Sequence, residues 1–227
     1  MKTEDSTIVI LIGPPGCGKG TQGEILSEKL GNITISTGNL LRDEMKSQTS
    51  LGKKLRTTMC TGKLVDDQIV LNLLKAKILT EICSDGFILD GFPRNIKQAN
   101  ELEELLDTLR KSFKLVAIDV SVSDKKIINR IVNRYYCTEC KTNYNKLYKN
   151  PIKKNICDVC GSEGKFAVRE DDTEEIVRKR LKEYNKQTAP VISYYKKKGV
   201  LLKVNGDEAV DKVSHEIDSK LKKILTY

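Results

Sequence analysis

The hydrophobic pattern opens with an unbroken run. Residues 7–12 (TIVILI) are apolar and β-branched with no polar alternation, as expected of a strand buried on both faces of a parallel sheet. A glycine-rich break at 13–18 follows, and residues 19–30 then place Ile25, Leu26 and Leu30 at helical spacing, with Gly31 as a stop. Short strand-like runs recur at 33–35, 86–89, 114–120 and 200–204. Residues 95–110 set Ala99, Leu102, Leu105, Leu106 and Leu109 on one helical face. Strands alternating with helices predict an α/β fold, a five-stranded parallel sheet flanked by helices through right-handed crossovers. Two stretches interrupt the alternation and read as insertions. Residues 36–85 carry three helical patterns with a turn at Gly62, and the stretch from about 133 to 172 is rich in Tyr, Lys and Cys without a helical period.

Composition narrows the picture. A chain of 227 residues fits one domain with insertions and is long enough to bury a core without disulfide staples. No apolar run nears the roughly 20 residues of a membrane helix. The opening MKTEDST places acids before the first apolar stretch, so no secretory leader is expected; the cysteines are expected to be reduced and the protein cytoplasmic. The net charge of +9 favours anionic partners. His215 is the one histidine and nine of the 40 cations are arginine, which leaves little room for Ser/His or Cys/His catalysis and points instead to cations, backbone amides or metal.

Residues 13–22, GPPGCGKGTQ, follow a strand and open a helix, the setting a phosphate loop requires. Gly13, Pro14, Gly16, Cys17, Gly18, Lys19, Gly20 and Thr21 would wrap phosphates with backbone N–H groups at a helix N-terminus, with Lys19 reaching the terminal ones. The strict motif has Ser or Thr directly after the lysine, whereas here Gly20 intervenes. Cys17 reads as a small filler residue, since no His or second Cys is near it in sequence.

Cys137-x2-Cys140 and Cys157-x2-Cys160, sixteen residues apart, have zinc-ribbon spacing. Two such knuckles close a four-thiolate cage with no open position, so its metal is expected to be structural. Zinc is expected, and iron fits the same ligands. Cys60 and Cys83 lie in helical patterns and are expected in the core.

The arginines cluster. Arg130 and Arg134 precede the cysteine insertion, Arg169 follows it, Arg178 and Arg180 lie on the next helix, and Arg42 and Arg94 each follow a short strand. Arginine grips phosphate oxygens bidentately, so this distribution suggests a cage for a transferring phosphoryl group. Asp172, with Glu175 three positions on, is expected to cap the helix carrying Arg178 and Arg180. Asp90 ends a buried strand beside the loop, where a carboxylate is placed to hold magnesium.

GPPGCGKGTQ, STGNLLR (36–42), GKLVDD (62–67), DGFPRN (90–95) with Gln98, and REDD (169–172) with Arg180 stand in the order found in adenylate kinases, and the chain resembles that family over essentially its whole length. The two CxxC pairs resemble the metal-bearing lid of its long forms. The resemblance implies a P-loop NTPase core (1–35, 67–132 and 173–227), a nucleoside-monophosphate-binding insertion (36–66) and a lid (133–172). It implies γ-phosphoryl transfer from MgATP to AMP by a monomer. Lys19, Arg130 and Arg134 would then hold ATP. Thr37, Gly38, Arg42, Lys63, Leu64, Val65, Gly91, Phe92, Arg94, Gln98, Arg169 and Arg180 would line the AMP side, with Gln98 at the adenine. Lys19, Asp90, Arg94, Arg130, Arg134, Arg169 and Arg180 would be catalytic.

Three positions depart from the family pattern. Asn39 stands where many members carry an acid, Tyr135 where Arg is frequent, and Cys17 in place of Ala or Ser. Thr37 fits AMP better than pyrimidine monophosphates, whose kinases tend to carry Ala there. The runner-up is a GTP-dependent AMP kinase or another monophosphate kinase, because the donor base is read largely by backbone near 203–207. A nucleic-acid-binding module would use the basic charge, the ribbon and Tyr135, Tyr136, Tyr144 and Tyr148, but its cations should cluster on one face. Here lysine is spread along the chain.

Overall fold

A computed structural model describes residues 6–47, 49–80, 86–109 and 112–225. Cys83, and Arg110 at the end of the expected 95–110 helix, lie outside the described residues. The chain runs β1 (Ser6–Ile12), α1 (Lys19–Leu30), β2 (Ile33–Ser36), α2 (Thr37–Lys46), α3 (Ser50–Cys60), α4 (Asp67–Thr80), β3 (Gly86–Asp90), α5 (Ile96–Thr108), β4 (Phe113–Ser121) and α6 (Asp124–Val132). It continues with β5 (Arg134–Cys137), β6 (Asn143–Asn145), β7 (Phe166–Ala167), α7 (Glu174–Glu183), α8 (Ala189–Lys197), β8 (Leu201–Asn205) and α9 (Val210–Leu225). A π-helical turn at Tyr184–Thr188 joins α7 to α8.

The expected sheet is present. Five parallel strands lie in the order β2-β3-β1-β4-β8. The lack of polar alternation in β1 has a direct cause, because its two faces are buried in different cores. Ile8, Ile10 and Ile12 pack with residues of α4, α5 and α8, while Val9 and Leu11 pack with Leu26 of α1 and with Val213, Ile217 and Leu221 of α9. The register aligns Leu11 with Asp90 and Ser36 with Asp90. The carboxyl ends of β1, β2 and β3 are thereby brought level, at the edge where open α/β sheets bind ligands.

The first irregular stretch packs onto the main core, with Leu41 of α2, Leu55 of α3 and Leu74 of α4 in one cluster with Ile8 and Ile10; the second forms a sheet of its own. α2 and α3 pack on each other between β2 and α4. Residues 134–167 form a three-stranded antiparallel sheet in the order β6-β5-β7. No described helix is long and apolar enough to cross a membrane.

Two expectations are corrected. Asp172 does not cap α7; Thr173 does, its side chain accepting from the Ile176 N–H. Asp172 is instead bound bidentately by Arg134, a charged pair stronger than a surface cap. Cys60 is not in the core. It is half-buried at the end of α3, with its Sγ 3.8 Å from Glu170 Oε2.

Candidate active site and metal site

The turn after β1 leads into α1 with no side-chain cap, and Gly18 at the cap position has φ 107°, a left-handed conformation open to glycine. The first N–H groups of the helix therefore remain free for an external acceptor. Lys19 Nζ donates to the carbonyls of Gly13 (2.7 Å) and Pro14 (2.9 Å), which holds the ammonium over the loop. Cys17 Sγ lies 3.5 Å from Nζ. The thiol is 2% exposed and packs with the core, as expected of a filler residue.

The loop opens into a cavity of about 790 Å³. Its walls include Gly13, Gly16, Cys17, Gly18, Lys19, Gly20 and Thr21 of the loop together with Gly38, Arg42, Lys63, Leu64, Val65, Gly91 and Arg94. Asp90, Arg130, Arg134, Arg169 and Arg180 also line it. Residues from the loop, the helical insertion and the three-stranded sheet thus meet in one space. Pro14, Thr37, Phe92 and Gln98 are not on its walls. Thr37 hydrogen-bonds the Gly91 carbonyl (2.9 Å) and Gln98 the Arg94 N–H (2.7 Å), both belonging to residues that are.

Six arginines reach this cavity, and they are held in two ways. Arg134 is clasped by Asp172, Nε to Oδ2 at 2.8 Å and Nη2 to Oδ1 at 2.6 Å, and Arg180 Nη1 donates to Asp171 Oδ2 at 2.9 Å. The other four have neutral hydrogen-bond partners. Arg42 donates to Asn39 Oδ1 (2.7 Å), Arg94 to the Gly91 carbonyl (2.8 Å), and Arg130 to the Cys17 and Gly206 carbonyls (3.3 and 2.9 Å). Arg169 donates to Asn143 Oδ1 (3.0 Å) and lies 5.8 Å from the centre of the Tyr136 ring. Neutral acceptors fix these guanidiniums without cancelling their charge.

The electrostatics follow. Burial and then Arg180 push Arg94 down to about 10, and burial, Arg134 and Arg42 push Arg169 down to about 9. Both stay charged at pH 7, in a place made for a polyanion. Asp171 is held below the usual carboxylate range. Burial raises it, but Arg180, Arg42, Arg134 and Arg169 together outweigh that. Asn39 lends its neutral amide to Arg42 where an acid would have consumed the charge. Arg178 stays outside, exposed and paired with Glu174 one turn back.

Asp171 and Asp172 organise the cage, and sequence reasoning assigned neither to it; their signal was two successive acids between Arg169 and Arg180. Ser36 was missed as well. Its hydroxyl donates to Asp90 Oδ2 at 3.0 Å, fixing the carboxylate at the edge of the cavity.

The four cysteines converge as their spacing predicts. All four Sγ atoms lie within 4.8 Å of one another, with Cys137–Cys160 at 3.6 Å and Cys140–Cys157 at 3.5 Å. A tetrahedral zinc site with Zn–S of about 2.3 Å has S···S edges of about 3.8 Å, so the donor set and its spacing fit a metal. The two knuckles are copies of each other. Lys141 N donates to Cys137 O and Gly161 N to Cys157 O, both at 2.9 Å, and both turn residues are left-handed (φ 65° and 71°). Thr142 and Ser162 then place hydroxyls 3.1 Å from Cys140 and Cys160, and Ser162 also lies 3.2 Å from Cys137. The fourth sulfur, Cys157, receives the Tyr144 hydroxyl at 3.4 Å. Burial pushes the Cys157 thiol up, but the Cys160 N–H, the Tyr144 hydroxyl and further hydrogen bonds hold it down at about 6.

Tyr144 is 2% exposed, stacks on Tyr135 at 5.7 Å, and meets Phe166 edge-on at 5.4 Å. Tyr135, the departure from arginine, is therefore part of the small core under the metal site. Of the four tyrosines in the nucleic-acid reading, Tyr144 and Tyr135 are committed to this small core, whereas Tyr148 is 61% exposed.

A family model described as adenylate kinase matches residues 11–200. A protein named adenylate kinase from Caldicellulosiruptor saccharolyticus is 44% identical, across 92% of this chain and 96% of its own. One of the same name from Archaeoglobus fulgidus is 43% identical over 95% and 98%, and one from Clostridium botulinum 40% over 94% and 97%.

Proposed function

The chain belongs to the adenylate kinase family, and from that premise we propose how its own side chains divide the work. It is a nucleoside monophosphate kinase that reversibly transfers the γ-phosphoryl of MgATP to AMP, giving two ADP. The observation carrying our assignment is the meeting of the Lys19 loop with six arginines on one cavity.

The acceptor is itself a phosphate anion, so no general base is needed and the chemistry reduces to positioning and charge. In our reading the loop's N–H groups and Lys19 take the donor phosphates. Arg42 and Arg94 take the AMP phosphate. Arg130, Arg134, Arg169 and Arg180 surround the group in flight. The uncancelled charge of Arg42, Arg94, Arg130 and Arg169 meets the anions. Arg134 and Arg180, tied to Asp172 and Asp171, set the shape of the cage. Asp90, oriented by Ser36, is the residue to hold magnesium, which supplies charge neutralisation to the phosphates when bound. Gln98 and Thr37 stand on the AMP side, directly behind Arg94 and Gly91.

Residues 36–66 and 133–172 are read as two moving parts on the core. They touch where Arg56 Nε and Cys60 Sγ each lie 3.8 Å from Glu170 Oε2. The ion pair is exposed on both sides and worth little by itself, as suits parts that separate each turnover. Closing them excludes water, which strengthens the cage and suppresses hydrolysis. The lid metal is assigned as one structural zinc, with iron as the competing ion. Because one chain supplies the whole cleft the working unit is a monomer, and reduced thiolates suit the cytoplasm.

A nucleotide panel tests this. With magnesium, ATP or GTP as donor and each of AMP, GMP, CMP and UMP as acceptor, ADP should form in a 2:1 ratio to AMP consumed, and only from ATP and AMP. Turnover with GTP would keep the mechanism and change the donor. No transfer to any acceptor would overturn the assignment of the cleft.

A further inference from the structure

One amide beside the cavity has an orientation forced on it from both ends. Gln98, in the first turn of α5, is 1% exposed. Its Oε1 accepts from the Arg94 backbone N–H at 2.7 Å, and its Nε2 donates to Asp67 Oδ1 at 2.6 Å. A backbone N–H only donates and a carboxylate only accepts. Turning the amide over would set N–H against N–H and oxygen against oxygen. The same Asp67 oxygen accepts from Asn95 Nδ2 at 2.9 Å, while Asn95 Oδ1 caps α5 by accepting from the Gln98 N–H at 2.8 Å. Carboxylate, cap and amide form one network joining the starts of α4 and α5. Each end of the Gln98 amide still has one unused function, a second N–H and a second lone pair.

We propose that Asp67 determines specificity for the acceptor base by locking the Gln98 amide into the orientation that matches a 6-amino purine and rejects a 6-oxo purine. This rests on the role that the family resemblance gives Gln98 at the adenine of AMP, reached past Arg94 and Gly91, since Gln98 itself lies behind the cavity wall. Adenine presents an exocyclic N–H donor beside a ring-nitrogen acceptor, the complement of the lone pair and N–H that Gln98 holds free. Hypoxanthine has nearly the same shape but presents an oxygen beside an N–H. Against a locked amide both of those contacts are like to like. A free glutamine would turn over and serve either base, so its selectivity comes from what fixes it. Asp67 touches no substrate in this scheme; it is a positioning residue acting through Gln98.

The test is initial rates with ATP as donor and AMP or inosine monophosphate as acceptor, in wild type, Asp67→Ala, Asp67→Asn and Gln98→Ala. Asparagine keeps an acceptor at the Oδ1 position and so keeps the lock. Alanine admits water, which donates or accepts, so the amide is then held by the Arg94 N–H alone and its turned-over form costs less. The AMP-to-IMP ratio of kcat/KM should fall about ten-fold in Asp67→Ala, the worth of a hydrogen bond to a charged group, with KM for AMP raised and IMP turnover gained. In Asp67→Asn it should stay within about two-fold of wild type. An unaltered KM for ATP shows that the fold is intact, and Asp67→Ser replaces Asp67→Ala if that variant fails this check. An unchanged ratio in the released variant, an equal fall in Asp67→Asn, or wild-type discrimination in Gln98→Ala each overturns the lock. Failure of the underlying reading looks different: wild type would make no ADP from ATP and AMP.

Discussion

Residues 13–21 hang on β1, whose Ile8, Val9 and Ile10 are fully buried between two helical layers. Residues 133–172 hang on four sulfurs and three rings, Tyr135, Tyr144 and Phe166. The loop inherits its shape from the largest core in the molecule. The lid has a core too small to hold itself, since a piece of this size commonly needs a metal or a disulfide to fold. The difference teaches where a side chain can be changed without loss of fold. In the loop, chemistry and stability are separable; in the lid, a metal on the four sulfurs would bind them together.

Removing the metal tests that contrast with the largest effect. Structural zinc contributes roughly 10–16 kcal/mol of folding free energy to isolated ribbon peptides. Protein stripped by a chelator should lose the lid while the five-stranded sheet persists. Hydrogen exchange should show residues 134–167 unprotected and β1, β3 and β4 protected, with transfer activity lost. Elemental analysis of protein purified without chelator should find about one zinc or iron per chain. Melting of both regions together on stripping would erase the contrast.

Next comes Lys19→Met. Single charge contacts on a transferring phosphoryl group are worth about 10³–10⁵ in turnover, and turnover should fall by that order. The melting temperature should barely move, because the hydrogen bonds of Lys19 stay within its own loop, to the Gly13 and Pro14 carbonyls and the Cys17 sulfur. Arg94→Ala should behave alike, because among the described residues its guanidinium hydrogen-bonds the Gly91 carbonyl, a neutral acceptor three residues back. A large loss of stability in Lys19→Met would mean that the loop's shape depends on the ammonium and not on β1.

The same contrast explains what could be read beforehand. Strand and helix positions followed from apolar periodicity because the core is one continuous sheet, and TIVILI announced its doubly buried centre. The loop, the cysteine pairs and most cage arginines are local motifs, readable at fixed spacing. What escaped were partners distant in the chain. Asp172 was read as a cap because Glu175 completes a local pattern, but a buried guanidinium 38 residues away outbids a helix end. Ser36 on Asp90 and Asp67 on Gln98 join separate elements, and no spacing rule reaches across them. Cys60 was assigned inward from its helical pattern, yet it sits on the last residue of α3, where the insertion faces the lid.

The smallest effect separates the two things that hold the lid. Tyr144 belongs to both, its ring to the aromatic cluster and its hydroxyl to Cys157. Tyr144→Phe keeps the ring and removes the donor to the sulfur, and it leaves the Asp158 N–H without the phenol oxygen it reaches at 2.8 Å. Partners of metal ligands typically contribute 10–100-fold in affinity, so the metal of Tyr144→Phe should pass to a competing chelator about 10–100-fold more readily. Phe166→Leu does the reverse, breaking both edge-on contacts while removing no hydrogen bond to a sulfur. It should lower the lid's protection against exchange and leave the chelator competition close to wild type. If Phe166→Leu loosens the metal as much as Tyr144→Phe does, the rings position the sulfurs and the hydroxyl is incidental. If only Tyr144→Phe loosens it, the cage is held by its hydrogen bonds, and the rings serve to keep that hydroxyl aimed.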